Sequence, residues 1–399
     1  NHPQNLLLVI ASRDEPFLPL PRLRARGQMV DLRAGDLRFS HQEATLYLNQ
    51  TMNLGLTEDD ILALETRTEG WITGLRLAAL SIQGQDDPKS FISEFAGDNR
   101  YIIDYLVDEV LSHRSEKSRK FLLRTSILSR LTGPLCQTIV QLEDAREILG
   151  QLEQENVFIV PLDNRRQWYR YHHLFADVLH QRLTESVPPE EIADLHRRTS
   201  RWFEENGSLI EAVEHAFQAN EPEEVIRLVE AGAEKMFLNS QLNTLLGWHD
   251  RLPHLLIDSH PKLCLIFAWA WVSTSRLNEA EHCLQTAEKA LGTNLSNLLV
   301  APESNVDATT RGALLETAVM RAQLAIGRGD IPEALRLSGF SLPYLKDDDS
   351  PYLYNPPMGS RMAAYFIRGL AQKLLGDLDQ AAKDFVEAAL AANQSLTCR

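Results

Sequence analysis

Trp168-Tyr-Arg-Tyr-His-His-Leu-Phe-Ala-Asp-Val-Leu-His-Gln-Arg-Leu183 decides how this chain is read. Its first residues alternate aromatic and polar side chains, the period of a β-strand. The period then changes, and Leu174, Phe175, Val178, Leu179 and Leu183 fall on one face of a helix. His172 and His173 stand where strand gives way to helix. Such a joint suits three chemistries: a helix N-terminus offering donors to a phosphate, a metal pair, or general acid–base catalysis.

Immediately upstream the pattern predicts three helices, Ser118–Leu128, Gly133–Gln141 and Asp144–Asn156, followed by a hairpin. The hairpin runs from Val157-Phe-Ile-Val160 through a turn at Asp163-Asn164 to Trp168–Tyr171. This is a winged-helix order, which suggests DNA binding. The charges oppose that use, because the would-be recognition helix carries Glu143, Asp144, Glu147, Glu153 and Glu155 against Arg146. Such a helix repels phosphates in a major groove.

Further upstream, residues 6–11 (Leu-Leu-Leu-Val-Ile-Ala) form a continuous apolar run, expected to be a strand buried in a parallel sheet. Its carboxyl end delivers Ser12-Arg13-Asp14, the position from which open α/β sheets present ligand-binding residues. A Pro- and Arg-rich loop (Pro16 to Gly27) and a second expected strand at Met29-Val-Asp-Leu-Arg33 follow. Two strands are too few for such a sheet, so the chain is expected to begin inside a domain. Residue 1 is Asn, which also suggests a piece of a longer polypeptide. From Ser40 to Ser112 the pattern is helical, opened by a Ser40-x-x-Glu43 capping box and continued from Thr57. Gly70-Trp71-x-x-Gly74 leads another helix, its glycines suggesting close approach to a sheet or ligand, or tight packing alone.

From Glu190 onward the sequence is helical and repeats. A small or turn residue precedes alanine by five positions at Gly207/Ala212, Ser275/Ala280, Gly329/Ala334 and Gly376/Ala381. The step from Ala212 to Ala280 is 68, twice the tetratricopeptide period of about 34, whereas the later steps are 54 and 47. An irregular tetratricopeptide-like solenoid is expected, and stacked helix pairs of this kind mostly bind things in a groove.

The 399 residues carry a net charge of −15, no overall cationic footprint for nucleic acid. Cys136, Cys264, Cys283 and Cys398 are scattered without a CxxC pair, favouring a reducing cytoplasm over a disulfide framework or zinc knuckle. No apolar run approaches the roughly 20 residues that span a bilayer.

Six segments in order resemble one family. They are Ile10-Ala-Ser-Arg-Asp-Glu-Pro16, Leu32-Arg-Ala-Gly-Asp-Leu-Arg-Phe39, Thr68-Glu-Gly-Trp-Ile-Thr-Gly-Leu-Arg-Leu-Ala78, Phe121-Leu-Leu-Arg-Thr-Ser-Ile127, Phe158-Ile-Val-Pro-Leu162 and Trp168–Leu183. The chain resembles the central part of the MalT-like, LuxR-type large ATP-binding transcriptional regulators of the STAND signal-transduction ATPases, most closely over residues 5–210.

The resemblance implies a mainly α chain. Residues 1–38 would be the end of a P-loop nucleotide-binding domain, 39–116 a helical lid, 117–187 a winged helix and 188–399 a tetratricopeptide-like sensor arm. It implies a switch that ADP holds closed, and that ATP with a small-molecule or protein inducer on the arm opens into a self-associating activator. Arg13 would be the sensor arginine, His172 the winged-helix contact to the β-phosphate of ADP, and His173 its neighbour. Gly70, Trp71 and Gly74 would lie beside the nucleotide, although the proline typical of many STAND lids is absent, which leaves an adenine contact open.

The 399 residues contain no GxxxxGK[ST] and no C-terminal helix-turn-helix. The chain alone is therefore expected to be no enzyme and to bind nucleotide poorly or not at all. Its intact parent would be a slow signalling ATPase, reading DNA through a domain outside this chain and working in the cytoplasm without a membrane. The competing expectation is a helical-repeat scaffold that binds a peptide or protein and has no nucleotide role. A metal pair at His172-His173 conflicts with the divergence of adjacent side chains along a strand and with the lack of nearby ligands.

Overall fold

The computed structural model describes residues 8–12, 18–32, 35–83, 89, 92, 100–112, 114–155, 157–301, 306–345 and 360–397. The chain is mainly α-helical and divides into two compact units at Ser208/Leu209. No described helix is long and apolar enough to cross a membrane.

The first unit opens with α1 (Leu20–Ala25), which has proline in its first turn, within the stretch expected to be a Pro- and Arg-rich loop. Neither expected strand forms in its described residues. The described residues 8–12 and 29–32 have no regular structure, and Val9 and Val30 are 80% and 88% exposed. A strand exists through its ladder partners, and no neighbouring strand stands beside these residues among those described.

Two capping boxes then start helices: Ser40 with Glu43 at α2 (His41–Thr45), and Thr57 with Asp60 at α3 (Glu58–Thr68). In each, the hydroxyl takes a first-turn N–H while the carboxylate takes the cap's own N–H, satisfying two donors that a helix start otherwise leaves orphaned. α4 (Ile72–Ile82) and α5 (Arg100–Leu106) complete this region, with a π-turn at Val107–Leu111.

The winged helix follows as α6 (Glu116–Thr125), α7 (Gly133–Val140) and α8 (Ala145–Gln154), then β1 (Ile159–Pro161) and β2 (Tyr169–Tyr171). β1 and β2 pair antiparallel with Ile159 opposite Tyr171, and Leu131 bridges the outer side of Tyr169. The Asp163 carboxylate makes the expected turn by accepting N–H bonds from Arg165, Gln167 and Trp168.

The helix expected after the strand is α9 (His173–Ser186). Its buried face is Leu174, Phe175, Val178, Leu179 and Leu183, and it packs on α3, α5 and α6. α10 (Pro189–Glu205) lies against α7, with Arg198 donating to the Ile139 carbonyl at 3.1 Å. Arg130 stacks over both Trp168 and Phe203, holding the wing to α10. The expected sensor arm starts at 188, so it includes α10, which belongs to the first compact unit.

The second unit stacks helices in antiparallel succession. α11 (Leu209–Gln218) packs on α12 (Pro222–Leu238), and α13 (Leu242–Arg251) and α14 (His254–Ser259) lead to α15 (Pro261–Ser273). α15 pairs with α16 (Leu277–Ala290). After α17 (Leu295–Val300), α18 (Ala308–Gly327) pairs with α19 (Ile331–Ser341), and α20 (Ser360–Leu375) with α21 (Leu378–Thr397).

Ser275, Gly329 and Gly376 each take positive φ between paired helices, and Ala280, Ala334 and Ala381 are buried where the second helix crosses the first. The repeat seen in the sequence is thus a left-handed turn plus a small crossing residue. Trp271 is buried and Trp269 packs against Leu295, Ala318 and Val319, so both belong to the core. Cys283 is buried and His282 exposed. The acidic run Asp347–Asp349 lies outside the described residues.

Phe175 is fully buried between Phe158 and Tyr171. Phe175→Ala is expected to destabilise the first unit by about 3–5 kcal/mol, read as a lowered urea midpoint with unchanged slope.

Candidate functional site: the joint between α3 and α9

The C-terminus of α3 and the N-terminus of α9 meet, although 104 residues separate the partners. A helix end leaves carbonyls without partners and a helix start leaves N–H groups without partners. Here the two ends bond each other, the Thr68 carbonyl also accepting the Trp71 N–H at 2.9 Å. The Thr68 carbonyl lies 2.9 Å from His172 Nε2. A carbonyl only accepts, so Nε2 carries the proton. In return, the Glu69 carboxylate accepts the His173 N–H, the first of α9, at 3.2 Å. An anion at a helix start also meets the favourable end of the helix dipole.

Glu69 and Gly70 turn the chain so that this can happen. Glu69 has φ of 50° and Gly70 of 70°. A Cβ on Gly70 would come within 2.5 Å of the Phe39 carbonyl oxygen, so glycine is required there. In the same place the Phe39 N–H donates to the Gly70 carbonyl at 2.8 Å. A Cβ on Gly74 would meet the Trp71 ring at 2.7 Å. Both glycines therefore serve close packing within the joint.

Glu69 gathers charge from two other segments. Arg170 of β2 grips it with both terminal nitrogens, at 2.6 and 2.8 Å, and Arg38 adds a third contact at 3.1 Å. Burial alone would raise this carboxyl. The Arg170 hydrogen bonds, the His172 imidazole and the His173 N–H outweigh it and hold the group at about 2.

His172 is only 4% exposed, at the edge of an aromatic nest. The Trp71 ring stands 6.0 Å away and the Phe158 ring 5.9 Å away, both edge-on. Phe158 itself adopts φ of 48°, unusual for a bulky side chain, and its carbonyl accepts the His172 N–H at 2.8 Å. Burial pushes the imidazole below its ordinary pKa, against the pull of Glu69 and the Thr68 bond, and the positive charge of Arg38 and His173 pushes it further. The ring is thus neutral at pH 7, with its proton on Nε2. Nδ1 is buried and has no hydrogen-bond partner.

The structure thus brings His172, Gly70, Trp71 and Gly74 into one joint. His173 lies on the same joint with its side chain exposed, 3.7 Å from Glu69 through Nδ1. Arg13 lies outside the described residues. Sequence reasoning missed Glu69, Arg170 and Arg38. The available signal was an acidic residue wedged between a helix end and a glycine turn, with an arginine two positions before the histidine.

A depressed carboxyl stabilises the fold above the unfolded-state value and loses that contribution as pH falls through the folded value. For Glu69 the window runs from about 4.5 down to about 2. Glu69→Gln is expected to cost about 1.5–3 kcal/mol at pH 7 and to flatten the loss of stability across that window, measured as urea midpoints of both proteins against pH.

Residues 107–191 match the family described as the MalT winged helix domain. The HTH-type transcriptional regulator MalT of Vibrio parahaemolyticus is 30% identical over 95% of this chain and 40% of its own length. The serine/threonine-protein kinase PknK of Mycobacterium tuberculosis is 35% identical over 72% of this chain and 26% of its own. The chain thus spans less than half the length of the curated relatives it matches. A solved STAND protein with a tetratricopeptide repeat sensor from Pyrococcus horikoshii aligns with 90% of this chain and 54% of its own, at TM-score 0.45 and 13% identity. Residues 107–191 are thus a winged helix of the MalT type, and similarity to MalT regulators runs through nearly the whole chain.

Proposed function

We infer that this chain is the regulatory core of a nucleotide-controlled, MalT-type transcriptional switch. The observation that carries the reading is His172: a buried imidazole joining lid to winged helix, with Nδ1 left without a partner. A buried polar atom without a partner costs about 1–3 kcal/mol, and such atoms ask for a ligand or another explanation. The residues fit a phosphate. Nε2–H is committed to Thr68, so Nδ1, once it takes up a proton, is the atom left to donate to an anion, and Arg38, Arg170 and the start of α9 supply positive potential in the same joint. A bound nucleotide supplies the negative charge of its phosphates. The protein's part is to hold α3 and α9 in register and to donate from His172.

Both curated relatives support a regulatory role over an output role. One is named a kinase and the other a transcriptional regulator, yet both match this chain over a minor part of their own length. A shared control module, with the output carried elsewhere in each protein, accounts for that. The winged helix is used for joining and not for reading DNA. Around α8, Asp144, Glu153 and Glu155 hold Lys117, Arg166 and Arg114, while Glu143 and Glu147 remain exposed.

In this reading ADP retains the closed form. An inducer, small molecule or protein, binds the helical-repeat arm, and ATP then favours self-association. DNA is read by a helix-turn-helix of the parent protein, in the cytoplasm.

In the intact parent, His172→Ala is expected to weaken ADP retention about ten- to hundredfold, the loss of one charge-assisted hydrogen bond of about 1.5–3 kcal/mol, and to raise basal transcription. Equilibrium dialysis with labelled ADP and a reporter assay measure both, and unchanged values refute the assignment. The purified 399-residue chain is expected to release no phosphate from ATP above background; sustained turnover would overturn its role as a non-catalytic core.

A further inference from the structure

Glu69 makes more contacts than a cap requires. Its two oxygens receive four donors: both terminal nitrogens of Arg170, one from Arg38, and the first N–H of α9. A forked guanidinium, a second guanidinium and a helix-start amide are the donors with which proteins hold phosphate. The His172 ring, close enough to interact with Glu69 and Arg38, keeps a buried, unpartnered Nδ1. A carboxylate has about four acceptor positions on two oxygens, and here they are taken. A phosphoryl group brings three oxygens and can accept from a fifth donor.

We propose that Arg38, Arg170 and the N-terminus of α9 form an anion subsite for a phosphate of the bound nucleotide, and that Glu69 fills it as an internal stand-in until that phosphate displaces it. The proposal rests on the nucleotide reading given above and adds a competitor to it. Charge makes the two occupants exclusive. Two guanidiniums accommodate one carboxylate, and a phosphate arriving with Glu69 in place meets like charge at close range. The phosphate therefore enters as Glu69 leaves, and the carboxylate that tied the turn after α3 to the start of α9 is freed.

Donation to the phosphate requires a proton on Nδ1, so occupancy takes up one proton at His172. The charged groups that act on this ring are Glu69, Arg38 and His173, and its ring neighbours Trp71 and Phe158 are uncharged. Glu69 is thus a positioning residue for the anion site as well as its resident.

The test uses the 399-residue chain and inorganic pyrophosphate as the probe, by titration calorimetry. Glu69→Gln is nearly isosteric and removes the competing charge. It is expected to bind pyrophosphate at least tenfold more tightly than the unaltered chain, and adding Arg170→Gln is expected to abolish the gain. Glu69→Asp, which keeps the charge on a shorter arm, is expected to fall between and serves if the Gln variant unfolds by circular dichroism.

Nitrogen-15 NMR of the imidazoles gives a second readout. His172 is expected to change from singly to doubly protonated on pyrophosphate binding, with a matching dependence of the binding heat on buffer ionisation. Folded Gln and Asp variants that bind no better than the unaltered chain overturn the stand-in role, as does a gain that survives Arg170→Gln. If the intact parent meanwhile loses ADP on His172→Ala, the nucleotide reading stands and only the stand-in falls. If ADP is also indifferent to His172, both fall.

Discussion

The first unit depends on two helix ends that complete each other. The Thr68 carbonyl at the end of α3 accepts the Trp71 N–H and gives its second acceptor position to His172, while the His173 amide that begins α9 would otherwise be orphaned. His172 and Glu69 make these bonds across a 104-residue separation. Everything nearby follows from that constraint. Glu69 must sit in the left-handed region, and Gly70 must lack a Cβ for Phe39 to close over the turn. Phe158 must accept an unusual φ for its carbonyl to reach the His172 amide. Local backbone strain of this kind persists where surrounding contacts over-determine it, and it concentrates at functional sites.

The joint is held by polarity but insulated by aromatic rings. Trp71, Phe158, Phe175 and Tyr171 line one side of the His172–α9 corner. The imidazole beside them is buried, Nδ1 included, and burial favours its neutral form, which a solvated histidine would not hold at mildly acid pH. On the charged side of the same corner Glu69 is buried beneath the partly exposed Arg38 and Arg170, with His173 exposed beside it.

Local information carried most of the fold. The capping boxes at Ser40 and Thr57, the helix face of α9 and the turn at Asp163 are set by residues within a few positions of one another, and they were legible for that reason. So was the solenoid, because left-handed turns followed by buried alanines recur along the chain. The strands expected at residues 6–11 and 29–33 were not formed where described, because an apolar run specifies burial but not the partner that supplies its ladder. Glu69 was illegible for a related reason. Nothing within ten residues of it reveals that its guanidinium partner lies at 170, and only the folded joint brings the two together. Histidines at a period change announced themselves; the carboxylate that opposes them did not.

A joint of this strength suits a switch. Hydrogen bonds to charged groups contribute about 1.5–3 kcal/mol each, whereas moving a two-state equilibrium from closed to open requires about 5.5 kcal/mol of differential binding. Two or three such bonds, gained or lost together, cover that range without disturbing the hydrophobic face of α9, whose Leu174, Phe175, Val178 and Leu179 stay buried. The apolar face of α9 packs on α3, α5 and α6, and the polar joint adds to it at the end of α3 and the start of α9. A change at Thr68, Glu69 or His172 therefore acts first on the polar contact between α3 and the start of α9.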